Sequence, residues 1–154
     1  MLLSFLALAP SVGRGRAEEF QRYCNGRFGF CVDYPMHFAM ESEPVNGDGR
    51  RIHDAKGFLM IAAAINKVTD DNLESEMQSK TYDFDQITYR TQGENWFVLS
   101  GRKRVRILYY KTYISSEVFN HLSLKYPVSM KKEYNPIVTR ISRSFVPGEL
   151  DSTR

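Results

Sequence analysis

The sequence predicts a single-domain α+β protein, an α/β/α sandwich whose mostly antiparallel central sheet of about seven strands carries helices on its faces. Three observations lead to this prediction. The chain has 154 residues, the size of one ordinary domain, and its 42% hydrophobic and 25% charged residues suit a packed core. Its ten Phe, nine Tyr and one Trp lie largely in short alternating runs, as in sheets. The segment 129–145 has helical apolar spacing instead.

The first 17 residues are predicted to be an export signal. The apolar run Met1–Ala9 is too short to span a bilayer, and Gly15 and Ala17 are the small residues that a signal peptidase reads. No Lys or Arg precedes this run, so a frayed apolar N-terminus is the alternative. No later run is long enough to cross a membrane. The domain is predicted to cover 18–146, followed by a polar tail at 147–154.

The net charge is +3 for the whole chain, with 21 basic and 18 acidic residues. Removal of the signal, which contains two arginines and no acid, leaves 19 basic residues and lowers the charge to +1. A domain this close to neutral gives no case for binding nucleic acid, or a membrane surface, by bulk charge.

Cys24 and Cys31 are predicted to form a disulfide. A structural zinc site needs four ligands, and the three histidines are scattered, so no metal and no cofactor is predicted. A redox pair usually has two intervening residues, whereas six separate these cysteines. The extended segment would span roughly 23 Å, far more than a disulfide allows, but Asn25-Gly26 favours a turn. Two unpaired buried cysteines are the alternative. Export to an oxidising compartment favours the disulfide.

The first part of the domain predicts three strands. The alternating segment Arg27–Asp33 predicts the first strand, and the turn-rich loop Pro44–Arg51 leads to a short strand around Arg51–His53. Asp54–Gly57 then predicts a hairpin turn. The unbroken apolar run Phe58–Asn66 predicts a central strand that is covered on both faces.

A helix is predicted at Thr69–Asp83. Acidic residues occupy its first turn, where they interact favourably with the helix dipole. Asp71 and Glu74 have the spacing of a capping box, and Leu73 and Met77 form a thin apolar face. These carboxylates are therefore interpreted as a helix N-terminus, not as an acid–base pair.

The second half predicts four strands and a terminal helix. In the last strand, apolar and polar residues alternate, which indicates one buried and one solvated face. Asn135 and Pro136 either begin the terminal helix or lie at a kink within one longer helix. The predicted strands and helix are Ile87–Thr91, Trp96–Ser100, Arg106–Ile114, Phe119–Tyr126 and Ser129–Phe145.

Several stretches follow one another in a familiar order: RFGFCVDYP, NGDG, the apolar strand, ITYRTQGENWFVLSG, ILYYKTYI with NHLSLKYP, and YNPIVTRISRSF. They resemble small bacterial exported proteins of the PsbP-like α/β/α sandwich superfamily, which includes DcrB-like lipoproteins and effector chaperones. The resemblance covers most of residues 23–146. It implies an antiparallel sheet between helices, a role in binding another protein, and no shared active site.

Two polar clusters are candidate partner-binding sites. The first is a basic turn that could meet an acidic partner, with a solvated hairpin as the alternative: Arg102, Lys103, Arg104 and Arg106. The second has too few oxygen ligands for a calcium loop, and a tight turn is its alternative: Asn46, Asp48, Arg50 and Arg51. Aromatic residues at Trp96, Tyr109, Tyr110 and Tyr113 could form a recognition surface, or simply pack on the sheet.

The sequence therefore predicts an exported protein-binding module without catalytic activity, located in the periplasm or secreted. An adaptor, an assembly factor and an immunity-type inhibitor of a toxin all fit. The chain is expected to be a monomer or a small homo-oligomer whose partner is another protein. The competing hypothesis is a small periplasmic hydrolase or ligand-binding protein, with dispersed site residues that include Asp48, His53 and His121. No nucleophile elbow, phosphate loop or HExxH pattern is present.

Overall fold

The structure is a computed structural model that describes residues 16–148. The predicted export signal, apart from its last two residues, and the last six residues of the predicted tail, 149–154, lie outside this range. The elements are β1 (Phe20–Cys24), β2 (Cys31–Pro35), β3 (Ala39–Met40), β4 (Gly49–His53), β5 (Leu59–Asn66), α1 (Leu73–Thr81), β6 (Gln86–Gln92), β7 (Trp96–Lys103), β8 (Arg106–Ile114), β9 (Val118–Pro127), a 3-10 turn at Val128–Met130, and α2 (Lys131–Ser144).

Seven strands form one antiparallel sheet in the order β3-β4-β5-β9-β8-β7-β6, and β1 and β2 form a separate hairpin. The predicted fold class is thereby confirmed. The four predicted strands after α1 are also confirmed as β6 to β9. Burial alternates most clearly along the second half of β9, as in a strand with one buried and one more exposed face, whereas five of the seven residues of β6 are exposed.

The β1–β2 hairpin and α2 cover one face of the sheet, which we call the α2 face. The large core lies between these layers, and its fully buried side chains include Phe30, Met60, Leu124 and Ile141. The opposite face, the α1 face, carries α1. There the buried Met77 packs against β7 in a second, smaller cluster.

The prediction that the apolar strand is covered on both faces is wrong for β5. Met60 and Ala62 are fully buried on the α2 face, but Leu59, Ile61 and Ala63 on the α1 face are only partly buried. The reason is the position of α1, which packs on β7 and does not extend over β5. Of the three consecutive alanines, Ala62 and Ala64 are buried and Ala63 between them is only partly buried.

The first predicted strand is misplaced. Residues 27–30 form the end of a turn, and strand β2 begins only at Cys31. The side chain of Asn25 causes this turn, because its Oδ1 accepts hydrogen bonds from the backbone N–H groups of Arg27 and Phe28 at 3.1 and 2.7 Å. Gly29 follows with φ of 75°, which glycine adopts without strain. Phe28 and Phe30 are buried even though they lie in a turn.

Strands β1 and β3 were not predicted, so five strands precede α1 instead of three. Strand β1 exposes three of its five residues, and β3 contains only two residues. Neither has an alternating apolar pattern from which a strand could be predicted. Both depend on pairing with a stronger neighbour, β2 for one and β4 for the other.

The two helices differ from prediction at their starts. The N-cap of α1 is Asn72, which forms a reciprocal capping box with Ser75, and the predicted pair of Asp71 and Glu74 does not. Pro136 lies inside α2, so the alternative of one longer helix is the correct one. Val146, the last residue of the predicted domain, pairs with Cys31, and Gly148 after it is buried.

Candidate functional site

The predicted disulfide between Cys24 and Cys31 is confirmed. The two residues are register partners at the end of the β1–β2 hairpin, with Cα atoms 4.1 Å apart. Asn25 makes this turn compact by donating from Nδ2 to the Tyr23 hydroxyl and to the Gly47 carbonyl, at 2.9 and 3.0 Å. A disulfide fits an oxidising compartment.

The structure divides the basic turn between the two faces of the sheet. Arg102 lies on the α2 face, because it is the register partner of Ile107. Lys103 and Arg106 are partners of each other on the α1 face. Lys103 Nζ is 3.6 Å from a carboxylate oxygen of Asp85, and Arg106 donates to the Gly57 carbonyl at 3.0 Å. Lys103 and Arg106, two of the four cations, therefore already have partners within the protein.

Asp85 organises the tip of this hairpin. Its Oδ2 accepts a hydrogen bond from the backbone N–H of Arg104 at 2.6 Å, and Arg104 has φ of 54°. This bond, together with the neighbouring Lys103 and Arg104 side chains, lowers the pKa of Asp85 below its ordinary value. Asp85 therefore offsets charge at the turn, while Arg102 makes no ion pair with any other residue of the described range 16–148.

The second predicted cluster is held together by internal contacts. Asn46 Nδ2 donates to Asp48 at 2.7 Å, and Arg50 donates to the Glu41 carbonyl at 2.9 Å. Arg51 lies 3.1 Å from the Glu41 carboxylate. The cluster belongs to β4 and the loop before it, four strands away from β7 in the sheet order. At 4.7–4.9 Å per strand this separation is about 19 Å, so the two predicted clusters do not form one site.

A groove on the α2 face, which we call the α2 groove, lies between α2 and strands β6 and β7. Its volume is about 640 Å³. Its lining has two cationic side chains and no carboxylate, together with aromatic, amide and hydroxyl groups that include Gln86, Tyr89, Arg102, Tyr109, Lys131 and Asn135.

The groove has a rigid floor and a more exposed rim. Tyr109 forms the floor, where its hydroxyl lies 2.5 Å from Ser142 Oγ on α2, and burial raises its pKa. Tyr89 on the edge strand β6 is 55% exposed. Arg102 enters from β7, whereas Lys131 enters from the first turn of α2. Cations from two layers therefore converge on one aromatic groove.

Only Arg102 and Tyr109 of this groove were singled out from the sequence. The other aromatic candidates pack within the fold, since Tyr110 donates to Asp83 at 2.9 Å and Tyr113 contacts the ring of Phe145. Lys131 was missed because it is distant in sequence from the strands that it faces. No local pattern marks it.

The dispersed residues of the competing hypothesis do not converge. Asp48 and His53 lie at opposite ends of β4. His121 lies under α1, where its Nδ1 is 2.8 Å from Thr112 Oγ1 and its Nε2 is 3.5 Å from Glu76. Burial, with a smaller contribution from Lys80, lowers the pKa of His121 to about 4. Thr112 is itself buried, so this group of side chains is enclosed.

Three solved structures resemble this chain in fold. The solution structure of the cyanobacterial PsbP protein CyanoP from Synechocystis has a TM-score of 0.59 at 12% identity, with 91% of this chain and 98% of that chain covered. The Saccharomyces cerevisiae Ran-binding protein Mog1p has a TM-score of 0.57 at 9% identity, with 85% of this chain and 96% of that chain covered. LpqN of Mycobacterium tuberculosis, involved in cell envelope biogenesis, has a TM-score of 0.54 at 11% identity, with 86% of this chain and 92% of that chain covered.

These similarities establish a PsbP-like fold, which the sequence motifs predicted. At such low identity they establish the fold alone. No protein-family model matches the chain, and no curated protein matches it either. Neither of the helices between residues 16 and 148 combines the length and apolar character that crossing a membrane requires.

Proposed function

We propose that this chain is an exported, non-catalytic protein-binding module that holds its partner at the α2 groove. The convergence of Arg102 and Lys131 on a groove that has aromatic residues and no carboxylate carries the proposal. Tyrosine and arginine are the side chains that most often dominate binding energy at protein interfaces. A cationic groove favours a partner with an acidic surface.

The fold relatives support a binding role. Mog1p is a Ran-binding protein, and LpqN takes part in cell envelope biogenesis. Among the predicted roles, an adaptor, an assembly factor and an immunity-type inhibitor all use such a surface. The export part of the proposal is supported by the disulfide between Cys24 and Cys31, since disulfides persist in oxidising compartments.

The proposal that the module is non-catalytic rests on the placement of its candidate acid–base groups. His121 is enclosed beneath α1, and His53 lies at the far end of β4 from Asp48. The α2 groove itself contains groups that bind, namely amides, hydroxyls, aromatic rings and cations. This composition suits recognition rather than proton transfer, which needs a titratable group near neutral pH.

The test is affinity capture of the tagged protein from its native cell envelope, with a groove variant and a matched control. The groove variant is Arg102→Ser with Lys131→Ser. The control, Arg90→Ser with Lys125→Ser, removes the same charge from side chains on the α1 face. We expect wild type and control to capture one partner at equal yield, and the groove variant to capture little of it.

Equal capture by the groove variant would remove this surface from the proposal. The absence of any partner under several growth conditions would contradict a binding module and favour a small-ligand role. Circular dichroism and thermal unfolding of all three proteins show whether each variant is folded. Both pairs of substitutions remove exposed side chains, so stability is expected to change by about 0.5 kcal/mol or less.

A further inference from the structure

We propose that the partner supplies an extended acidic segment, which pairs with β6 as an eighth strand and directs its carboxylates into the α2 groove. The inference rests on the proposed function and specifies the kind of partner. Two independent features of the molecule support it: the free edge of the sheet at β6, and the charge of the adjacent groove.

Strand β6 is the last strand of the sheet on one side, and five of its seven residues are exposed. A strand in this position presents unpaired backbone N–H and C=O groups, which an extended peptide can bond. The opposite edge is different, because β3 has only two residues and offers almost no pairing surface. Within residues 16–148, the sheet thus has one edge long enough to accept a strand.

The sequence of β6, QITYRTQ, has few of the features that block edge pairing. It contains no proline, and its single charged residue, Arg90, lies on the α1 face within 3.9 Å of Glu74. A register irregularity between Ile87 and Tyr89 increases the local twist but leaves regular pairing with β7 from Tyr89 to Gln92. An added strand would find a continuous edge over that part.

The groove lies next to this edge. Gln86, Thr88 and Tyr89 of β6 all line it, and Arg102 is the register partner of Gln86. An added strand would lie two strand spacings from β7, about 10 Å, which long arginine and glutamate side chains can bridge together. Alternate residues of the added strand point to the same face. Acidic residues at every second position would therefore all point to the α2 face, and those beside Gln86 would lie nearest to Arg102.

Charge argues against a second copy of this chain as the occupant. Pairing of β6 with another β6 would bring Arg90 but no carboxylate, because QITYRTQ contains no acidic residue. The cations of the α2 groove would remain without counter-charges. An acidic segment from a different protein would supply backbone hydrogen bonds to the edge strand and carboxylates to the cations of the groove.

The test uses a fluorescent seven-residue peptide in which glutamate alternates with valine, with binding measured by anisotropy at low salt. In a strand, the backbone N–H groups of successive residues point to opposite edges, so those of all glutamates point to one edge and those of all valines to the other. Two peptides are therefore compared, one N-methylated at every glutamate and one at every valine. The protein is the same in every comparison of peptides, so misfolding of a variant does not affect those comparisons.

We expect the unmodified peptide to bind, one methylated peptide to bind comparably, and the other to lose at least tenfold in affinity. Arg102→Ser should weaken binding up to about fivefold, as for a partly exposed ion pair, and Arg90→Ser should not. A peptide with lysine in place of glutamate should not bind. Affinity should fall as salt is added.

Equal binding of both methylated peptides would overturn strand addition. If capture of the partner nevertheless depended on the groove residues, the proposed function would remain intact. No binding by any peptide would overturn the acidic-strand inference, again separately from the capture result. Concentration-dependent self-association in sedimentation that competes with binding of the acidic peptide, and is strong enough to exclude it, would assign the edge to a second copy and contradict the inference.

Discussion

The two faces of the sheet are built differently. On the α2 face, a hairpin, a 14-residue helix and a disulfide enclose one large core. On the α1 face, a nine-residue helix contributes one fully buried side chain, Met77, and leaves the outer side of β5 partly exposed. Most of the packing therefore lies on the face that carries the candidate site. A groove beside a well-packed layer is preorganised, which lowers the ordering cost of binding.

Asp33 shows how the α2 face is locked together. Its carboxylate is 11% exposed and lies 2.8 Å from Arg22 Nε of β1 and 3.2 Å from Arg140 of α2. Its backbone N–H also donates to Ser144 Oγ at 2.8 Å. One residue of β2 thus joins the hairpin to the helix that forms one wall of the groove. The connection to α2 was not predicted from the sequence, because Asp33 is separated from Arg140 and Ser144 by more than 100 residues.

The largest effect on stability is expected from the core of the α2 face. Phe30 is fully buried and packs edge-on against Tyr23 and Phe145. Phe30→Ala should lower the free energy of unfolding by about 3–5 kcal/mol. Denaturant unfolding measures this change, with the exposed Tyr89→Ala as the control at about 1 kcal/mol or less. A similar loss in both variants would contradict the unequal division of packing.

The α1 face should respond to pH through His121. Its folded pKa of about 4 lies below the ordinary value of 6.5, because burial and, to a smaller extent, the positive charge of Lys80 oppose the charged form. Between these values the unfolded chain binds the proton and the folded protein does not. The contribution of neutral His121 to the free energy of unfolding is therefore fully present above about pH 6.5. It is lost as the pH falls towards 4, by up to about 3 kcal/mol.

Denaturant unfolding at pH 7.5 and pH 4.5 tests this dependence, with His121→Gln as the comparison. The variant cannot titrate at this position, so its stability should change less over the same interval. The other titrating groups are common to both proteins, so their effects cancel when the two pH-dependent changes in unfolding free energy are subtracted. Identical pH profiles for the two proteins would contradict the enclosure of His121 beneath α1.

A smaller effect is expected from the disulfide, which closes a short loop. Replacement of both Cys24 and Cys31 by alanine should lower the free energy of unfolding by about 2–3 kcal/mol. The comparison is wild-type protein under oxidising conditions, and the intact mass before and after reduction and alkylation reports the bond directly. Two free thiols in protein isolated from its native compartment would contradict both the bond and the export proposal.

Much of the sheet could be predicted because the strands after α1 are alternating runs separated by turn residues. Strands β1 and β3 could not be, since they gain their structure from pairing partners. The cap of α1 was assigned to Asp71, one residue before Asn72, because both are residues that favour helix starts. The choice between two neighbouring N-cap residues depends on side-chain geometry, which the sequence pattern does not contain.

The candidate site was predictable only in part. The basic turn was evident, and Arg102 does reach the groove, but strand alternation sends Lys103 and Arg106 to the other face. The hydrogen bond from the Arg104 backbone to Asp85, which lowers the pKa of that carboxyl, joins residues 19 apart in the chain and has no local pattern. Lys131 joins the site because α2 folds back over β7, a contact between elements that are distant along the chain.

The most direct test of the central claim is the amount of partner captured by the groove variant, Arg102→Ser with Lys131→Ser, relative to its matched control, Arg90→Ser with Lys125→Ser. The account predicts that the control retains the partner at the wild-type level while the groove variant loses most of it. Equal yields from the two variants, with both proteins folded, would contradict the assignment of binding to the α2 groove.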